Sequence, residues 1–316
     1  MKKWILFLFF GSSLMANAQN CSEEQIAQLP GKWKAGPQGS IRNIAAADLA
    51  REKQFLLNIQ KYLSSRFKPV GLQIDYSTVW NKGNDLAYVA DPYHLSMYLL
   101  RYRCEPDNKS YYVEYSSATN VDVVMNEIFC LNGLYAAPLA ADEFRGYLRL
   151  FAKPEKRQGF WYLGEEWTDN KRVKEERWLV TYGEELPFYL LTRKEYLELT
   201  KKRLEKGIRE GQSDLRTYLE NVNAWLARPA EELSITAVCN TSEEERFRDF
   251  LPEGDRFAFY PVKPNLNYYK KGLPRSAAQF IYVEYKFSVG DQVFEKNIEA
   301  IRKELTLDHL KGLLGK

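Results

Sequence analysis

Two adjacent acids set among tryptophans are the residues of this chain best suited to chemistry. Glu165 and Glu166 lie between Trp161-Tyr162 and Trp167. A glycosidase needs two carboxyl groups facing each other about 5 to 9.5 Å apart, and no local motif is obligatory. In a strand Glu165 and Glu166 point to opposite faces, so one of them at most enters a given cleft. The second acid must then come from elsewhere, and Asp91 is the next candidate. His94, in the turn Asp91-Pro92-Tyr93-His94, is the histidine that a Ser-His-Asp or Cys-His arrangement would use. The chain has only one other, His309 in the last helical segment. Against these readings, paired acids between aromatics also describe the solvent face of a half-exposed antiparallel sheet.

Trp161, Tyr162, Trp167 and Trp178 are candidate binding residues, because exposed Trp and Tyr offer flat amphipathic surfaces to sugars and partner proteins. Core packing beneath a helix or a second sheet competes with that reading. No G-x-S-x-G elbow, H-E-x-x-H, Walker loop or G-x-G-x-x-G occurs. No CxxC or Cys/His cluster occurs either, so neither a metal nor another cofactor is expected.

The elements that must position these residues alternate between helical and strand patterns. Leu49, Leu56, Ile59 and Leu63 recur at helical spacing over 45–66. Strand-like runs follow at 72–80, 95–104 and 111–115, with an extension to Val124. A meander covers 147–191, and Leu29 to Ser40 reads as loop. Thr192 and Glu195 form a capping box ahead of a long helix, and Ser213 begins a second one ending before Pro229. Residues 235–239 and 257–260 read as strands, 243–250 as a short helix capped by Ser242, and 280–289 as the strongest strand. Gly290-Asp291 has hairpin-turn chemistry, and Thr306 caps a final helix. Tyr112-Val113-Glu114-Tyr115 recurs as Tyr282-Val283-Glu284-Tyr285, but the flanking residues do not follow, so no duplication is inferred. The pattern predicts an α+β fold of antiparallel sheets, each packed against long amphipathic helices. Two units, 19–136 and 137–316, are expected, with one interlocked domain as the alternative.

Lys plus Arg number 45 against 42 for Asp plus Glu, a net charge of +3 that makes no case for nucleic acid. Residues 1–18 resemble a bacterial Sec signal peptide: Lys2 and Lys3, an apolar run from Trp4 to Phe10, then Ala16-Asn17-Ala18. A periplasmic or secreted protein is therefore expected, with no membrane span left after cleavage. Cys21, Cys104, Cys130 and Cys239 form an even set that favours disulfides in an exported chain, with Cys104–Cys130 and Cys21–Cys239 as the expected pairing.

The functional reading is a non-catalytic binding or interaction protein of the cell envelope, with a glycan or an envelope protein as partner. The alternative is a carboxylate-dependent hydrolase of envelope or extracellular glycans. On export, N-terminal sequencing of the mature chain should start at Gln19; a start at Met1 would refute the signal.

Overall fold

The computed structural model describes residues 21–39, 45–80, 90–107, 109–116, 118–131, 146–168, 171–243 and 246–316. The expected signal peptide and the expected boundary between residues 136 and 137 lie outside them. A short helix α1 (Glu23–Ile26) precedes strand β1 (Lys32–Gln38) and the long helix α2 (Ala46–Arg66). Strands β2 (Leu72–Val79), β3 (Tyr93–Cys104), β4 (Tyr111–Val113) and β5 (Asn120–Met125) follow. The middle holds β6 (Leu148–Leu150), β7 (Glu155–Arg157), β8 (Phe160–Thr168), β9 (Val173–Val180) and β10 (Phe188–Leu190). Helices α3 (Arg193–Arg209), α4 (Arg216–Leu226) and α5 (Ala230–Leu233) come next. The chain closes with β11 (Cys239–Asn240), β12 (Ala258–Pro264), β13 (Ile281–Ser288), α6 (Gln292–Glu304) and α7 (Leu307–Lys311).

Two sheets result. Nine strands form the larger, in the order β1-β2-β3-β5-β13-β9-β8-β7 with β4 added on β3. Strands β10, β12, β11 and β6 form the smaller. Within the large sheet only β1 and β2 run parallel. Strands from either side of residue 137 pair directly, because β13 lies between β5 and β9.

Alternation along the strands sorts side chains into layers. Ile281, Val283, Tyr285 and Phe287 of β13 enter a core shared with Leu56, Ile59 and Leu63 of α2 and with Ile298 and Ile301 of α6. Each of those buried aliphatic side chains contributes about 1.5–3 kcal/mol relative to exposure. Tyr282 points the other way, into a second core with Leu148, Phe188 and Val262 of the small sheet. Beyond that sheet, Phe259 meets Tyr196 and Leu204 of α3 and Val222 and Trp225 of α4 in a third core. The order is helices, large sheet, small sheet, helices. The fold is thus α+β with large antiparallel sheets, and α2, α3, α4 and α6 are the helices longer than seven residues among the described ones.

The capping box at Thr192 forms, with the Glu195 amide donating to Thr192 Oγ1 and Glu195 Oε2 accepting from the Thr192 amide. Several local expectations change. Asp291 does not turn a hairpin; its carboxylate accepts from the Val293 and Phe294 amides and starts α6. Residues 246–250 are not helical, because Asn240 Oδ1 accepts both the amide and the hydroxyl of Ser242 and removes it as a helix cap. Within the expected loop from Leu29 to Ser40, β1 forms over Lys32–Gln38 because β2 supplies its hydrogen-bond partner.

The expected disulfide pairing is also corrected. Cys21 bonds Cys104, while Cys130 and Cys239 form no disulfide. The reason is placement: α1 packs beside β3, where Glu23 reaches Arg101 and Arg103 at 3.2 Å, and Cys239 is buried in the third core. The bond closes a loop 83 residues apart in sequence. Replacing Cys21 and Cys104 by serine should cost about 2–4 kcal/mol in urea unfolding, and reductant should then have no further effect on stability.

Candidate functional site

The aromatic-acidic segment falls on β8, where the strand carries one extra residue against β9. Tyr162 pairs with Trp178 and Glu165 with Glu176, so Leu163 and Gly164 on β8 stand against the single Arg177 on β9. Gly164 sits inside this bulge at φ +94°, and a Cβ there would lie 2.4 Å from the Cβ of Ala152. Only glycine satisfies both conditions. The bulge inverts the alternation, so Tyr162, Glu165 and Trp167 share the face that looks toward α6 and α7. Trp161 and Glu166 lie on the opposite face.

On the helix side, Glu165 accepts from Lys174 at 3.0 Å and from Tyr162 Oη and Trp167 Nε1 at 3.1 Å each. Lys174, ahead of the weaker opposing effect of burial, holds the Glu165 carboxyl below its ordinary range. Lys174 also reaches Glu176 at 2.6 Å, and Glu176 is bonded in turn by Arg302 of α6. Trp178 stands edge-on to Tyr162, ring centroids 4.9 Å apart. A cavity of about 470 Å³ opens beside this group, lined among others by Phe160, Glu176, Trp178, Tyr285, Arg302 and Asp308. Trp178 therefore lines open space. Trp167 stays outside on the surface, 42% exposed with Lys174 over its ring. Trp161 packs against the second core and carries Lys156 on its face.

The opposite face holds a row of polar groups that crosses four strands. Ser96 of β3 donates to Asp122 of β5, which also accepts from Asn120 at 2.5 Å. Asp122 is the cross-strand neighbour of Glu284 on β13, and Glu284 pairs with Arg177 on β9. Arg177 bonds Glu284 at 3.3 Å, Glu166 at 2.8 Å and Glu175 at 2.7 Å. Lys286 reaches Glu175 at 2.6 Å and Tyr282 Oη donates to Glu284 at 2.5 Å. Burial, reinforced by the Glu284 charge and opposed by the Ser96 and Asn120 hydrogen bonds, pushes the Asp122 carboxyl up to about 6.

Asp91 and His94 are placed apart in role. Asp91 is buried and bound by Arg275 at 2.6 Å, with burial raising its carboxyl despite that partner. His94 lies on the second face, edge-on to Phe129. His309 stacks on Tyr62 at 3.7 Å, and burial lowers its pKa. Sequence reasoning missed Asp122, Arg177, Glu176, Glu284 and Arg302. The available signal was a charged residue at alternate positions of otherwise apolar strands, as in Asn120-Val121-Asp122-Val123.

Among the described residues no group of three or more His, Cys, Asp or Glu is placed to hold a metal ion, and no helix is long and apolar enough to cross a membrane. Comparison with protein families, curated proteins and solved structures finds no match to this chain.

The Asp122 carboxyl gives a signed pH dependence. Below about pH 4 it is protonated in both folded and unfolded chains. Between its ordinary value of 3.8 and about 6 only the unfolded chain releases the proton, so stability falls as pH rises and levels off above the folded value. The loss through this group reaches about 3 kcal/mol at most. Unfolding of Asp122→Asn followed by urea from pH 4 to 7 should lack this fall relative to the parent; identical profiles would refute the assignment.

Proposed function

We propose that the chain is an exported binding protein of the cell envelope that takes a glycan in the cavity beside Trp178. The observation that carries the reading is the combination of aromatic walls, Phe160, Trp178 and Tyr285, with polar groups at their edges, Glu176, Arg302 and Asp308. Sugars present apolar ring faces ringed by hydroxyls, which is the complement of such a lining. Binding rather than hydrolysis is favoured on this face because Glu165 is held as a carboxylate by Lys174, which suits an acceptor and not a general acid. Export is supported by the residues of 1–18 and by the Cys21–Cys104 disulfide, which persists in oxidising compartments.

The hydrolase reading has one observation in its favour, on the other face. Asp122 at about 6 beside Glu284 resembles the division of a carboxyl pair into acid and base.

Calorimetric titration with soluble peptidoglycan fragments, manno-oligosaccharides and xylo-oligosaccharides separates the two. Binding of one series, weakened about tenfold or roughly 1.4 kcal/mol by Trp178→Ala, supports the binding protein. No binding to any series, or unchanged binding by the variant, overturns it. Release of reducing ends by the parent, lost in both Asp122→Asn and Glu284→Gln, would establish the hydrolase.

A further inference from the structure

We propose a second ligand site, for a small molecule bearing one carboxylate, in the cavity between α2 and the β1–β2 edge of the large sheet. It is separate from the Trp178 cavity and does not rest on the glycan reading. Its volume is about 330 Å³, and its walls include Lys53, Leu56 and Gln60 of α2 with Tyr76, Thr78 and Trp80 on and after β2. Among the described residues no acid lines it.

Two of the lining residues carry donors with no acceptor among the described residues. Lys53 is an exposed position of α2 whose ammonium stands 4.3 Å over the Trp80 ring. Every residue three or four places away along the helix is apolar, namely Leu49, Ala50, Leu56 and Leu57. The helix thus offers Lys53 no carboxylate. Trp80 is only 6% exposed, and its indole Nε1 is buried without a hydrogen-bond partner among the described residues. A buried N–H left without an acceptor is costly, which makes it a point where a ligand oxygen gains more than usual.

A carboxylate fits this pair. One oxygen takes the ammonium, which leaves the face of the ring, and the other accepts from the indole N–H. A phosphate dianion would want more cations than the single lysine supplies. The remaining walls, Leu56, Leu57 and Tyr76, suit a ring or short aliphatic body. The volume is at the small end for ligand pockets and admits one sugar-acid ring or a dipeptide.

The test follows the Trp80 indole N–H in proton–nitrogen correlation spectra, assigned by its loss in Trp80→Phe. The probes are D-glucuronate and N-acetyl-Ala-Ala, each against its uncharged counterpart, D-glucose and N-acetyl-Ala-Ala-amide, at up to 10 mM. We expect that resonance to shift and saturate with a charged probe and not with its counterpart. Lys53→Met should weaken binding at least tenfold in this titration, and Trp80→Phe, which keeps an aromatic ring but removes both the donor and the reporter, about threefold by calorimetry. A response to glucuronate identifies an acidic sugar, and a response to the dipeptide identifies a peptide terminus. The proposal is overturned if neither charged probe moves the resonance, if an uncharged counterpart moves it equally, or if Lys53→Met binds as tightly as the parent.

Discussion

Strand β13 is hydrogen-bonded on both sides, to β5 from Ile281 to Lys286 and to β9 from Ile281 to Ser288, and the architecture depends on that insertion. Without it the strands that follow α2 and those of the middle segment would have no shared sheet. Its alternation also decides which layer each neighbour joins: Ile281, Val283 and Tyr285 face α2 and α6, while Tyr282 faces the small sheet. A one-residue slip would exchange these faces and place Glu284 and Lys286 in the helical core. The buried polar row is therefore a guard on register as well as a chemical feature.

The two faces of the β8–β9–β13 region handle charge differently. On the helix side each acid is matched by a cation that is itself shared, Lys174 between Glu165 and Glu176. On the other side acids outnumber cations, since Glu284, Glu166 and Glu175 share Arg177 and Lys286 while Asp122 is bonded only by the neutral Ser96 and Asn120. Burial is the main physical reason Asp122 keeps its proton to an unusually high pH, and the neighbouring Glu284 charge adds to it. The same sheet thus carries an ionised acceptor, Glu165, on one side and a protonatable group, Asp122, on the other.

Local signals were read correctly where the local chain decides the outcome. The stripe of Leu56, Ile59 and Leu63 became the buried face of α2, and Thr192 with Glu195 closed the expected box. Signals failed where a distant segment decides. Lys32–Gln38, with Gly36 and Pro37, carries little strand preference and is a strand because β2 lies beside it. Tyr112 is exposed and Val113 half-buried on β4, whereas the identical Tyr282-Val283 is buried in β13. The opposition of Glu165 and Glu166 was legible from strand geometry. The meeting of Tyr162 with Glu165 was not, because it needs the bulge at Gly164, and that glycine is explained by its positive φ and by the proximity of Ala152. Disulfide partners, likewise, followed from where α1 lies against β3.

The outer strands of the large sheet bear on how the molecule behaves in a crowd of its own copies. An open sheet ends in two rows of unsatisfied backbone groups, each a template for strand addition. Here one end is β1, with Lys32, Lys34 and Pro37 all exposed, and the other is β7, the fully exposed triplet Glu155-Lys156-Arg157. Proline removes a donor from the first edge, and closely spaced charges make desolvating either edge costly. A nine-stranded sheet this rich in tyrosine and valine is in that way kept from growing by edge-to-edge pairing.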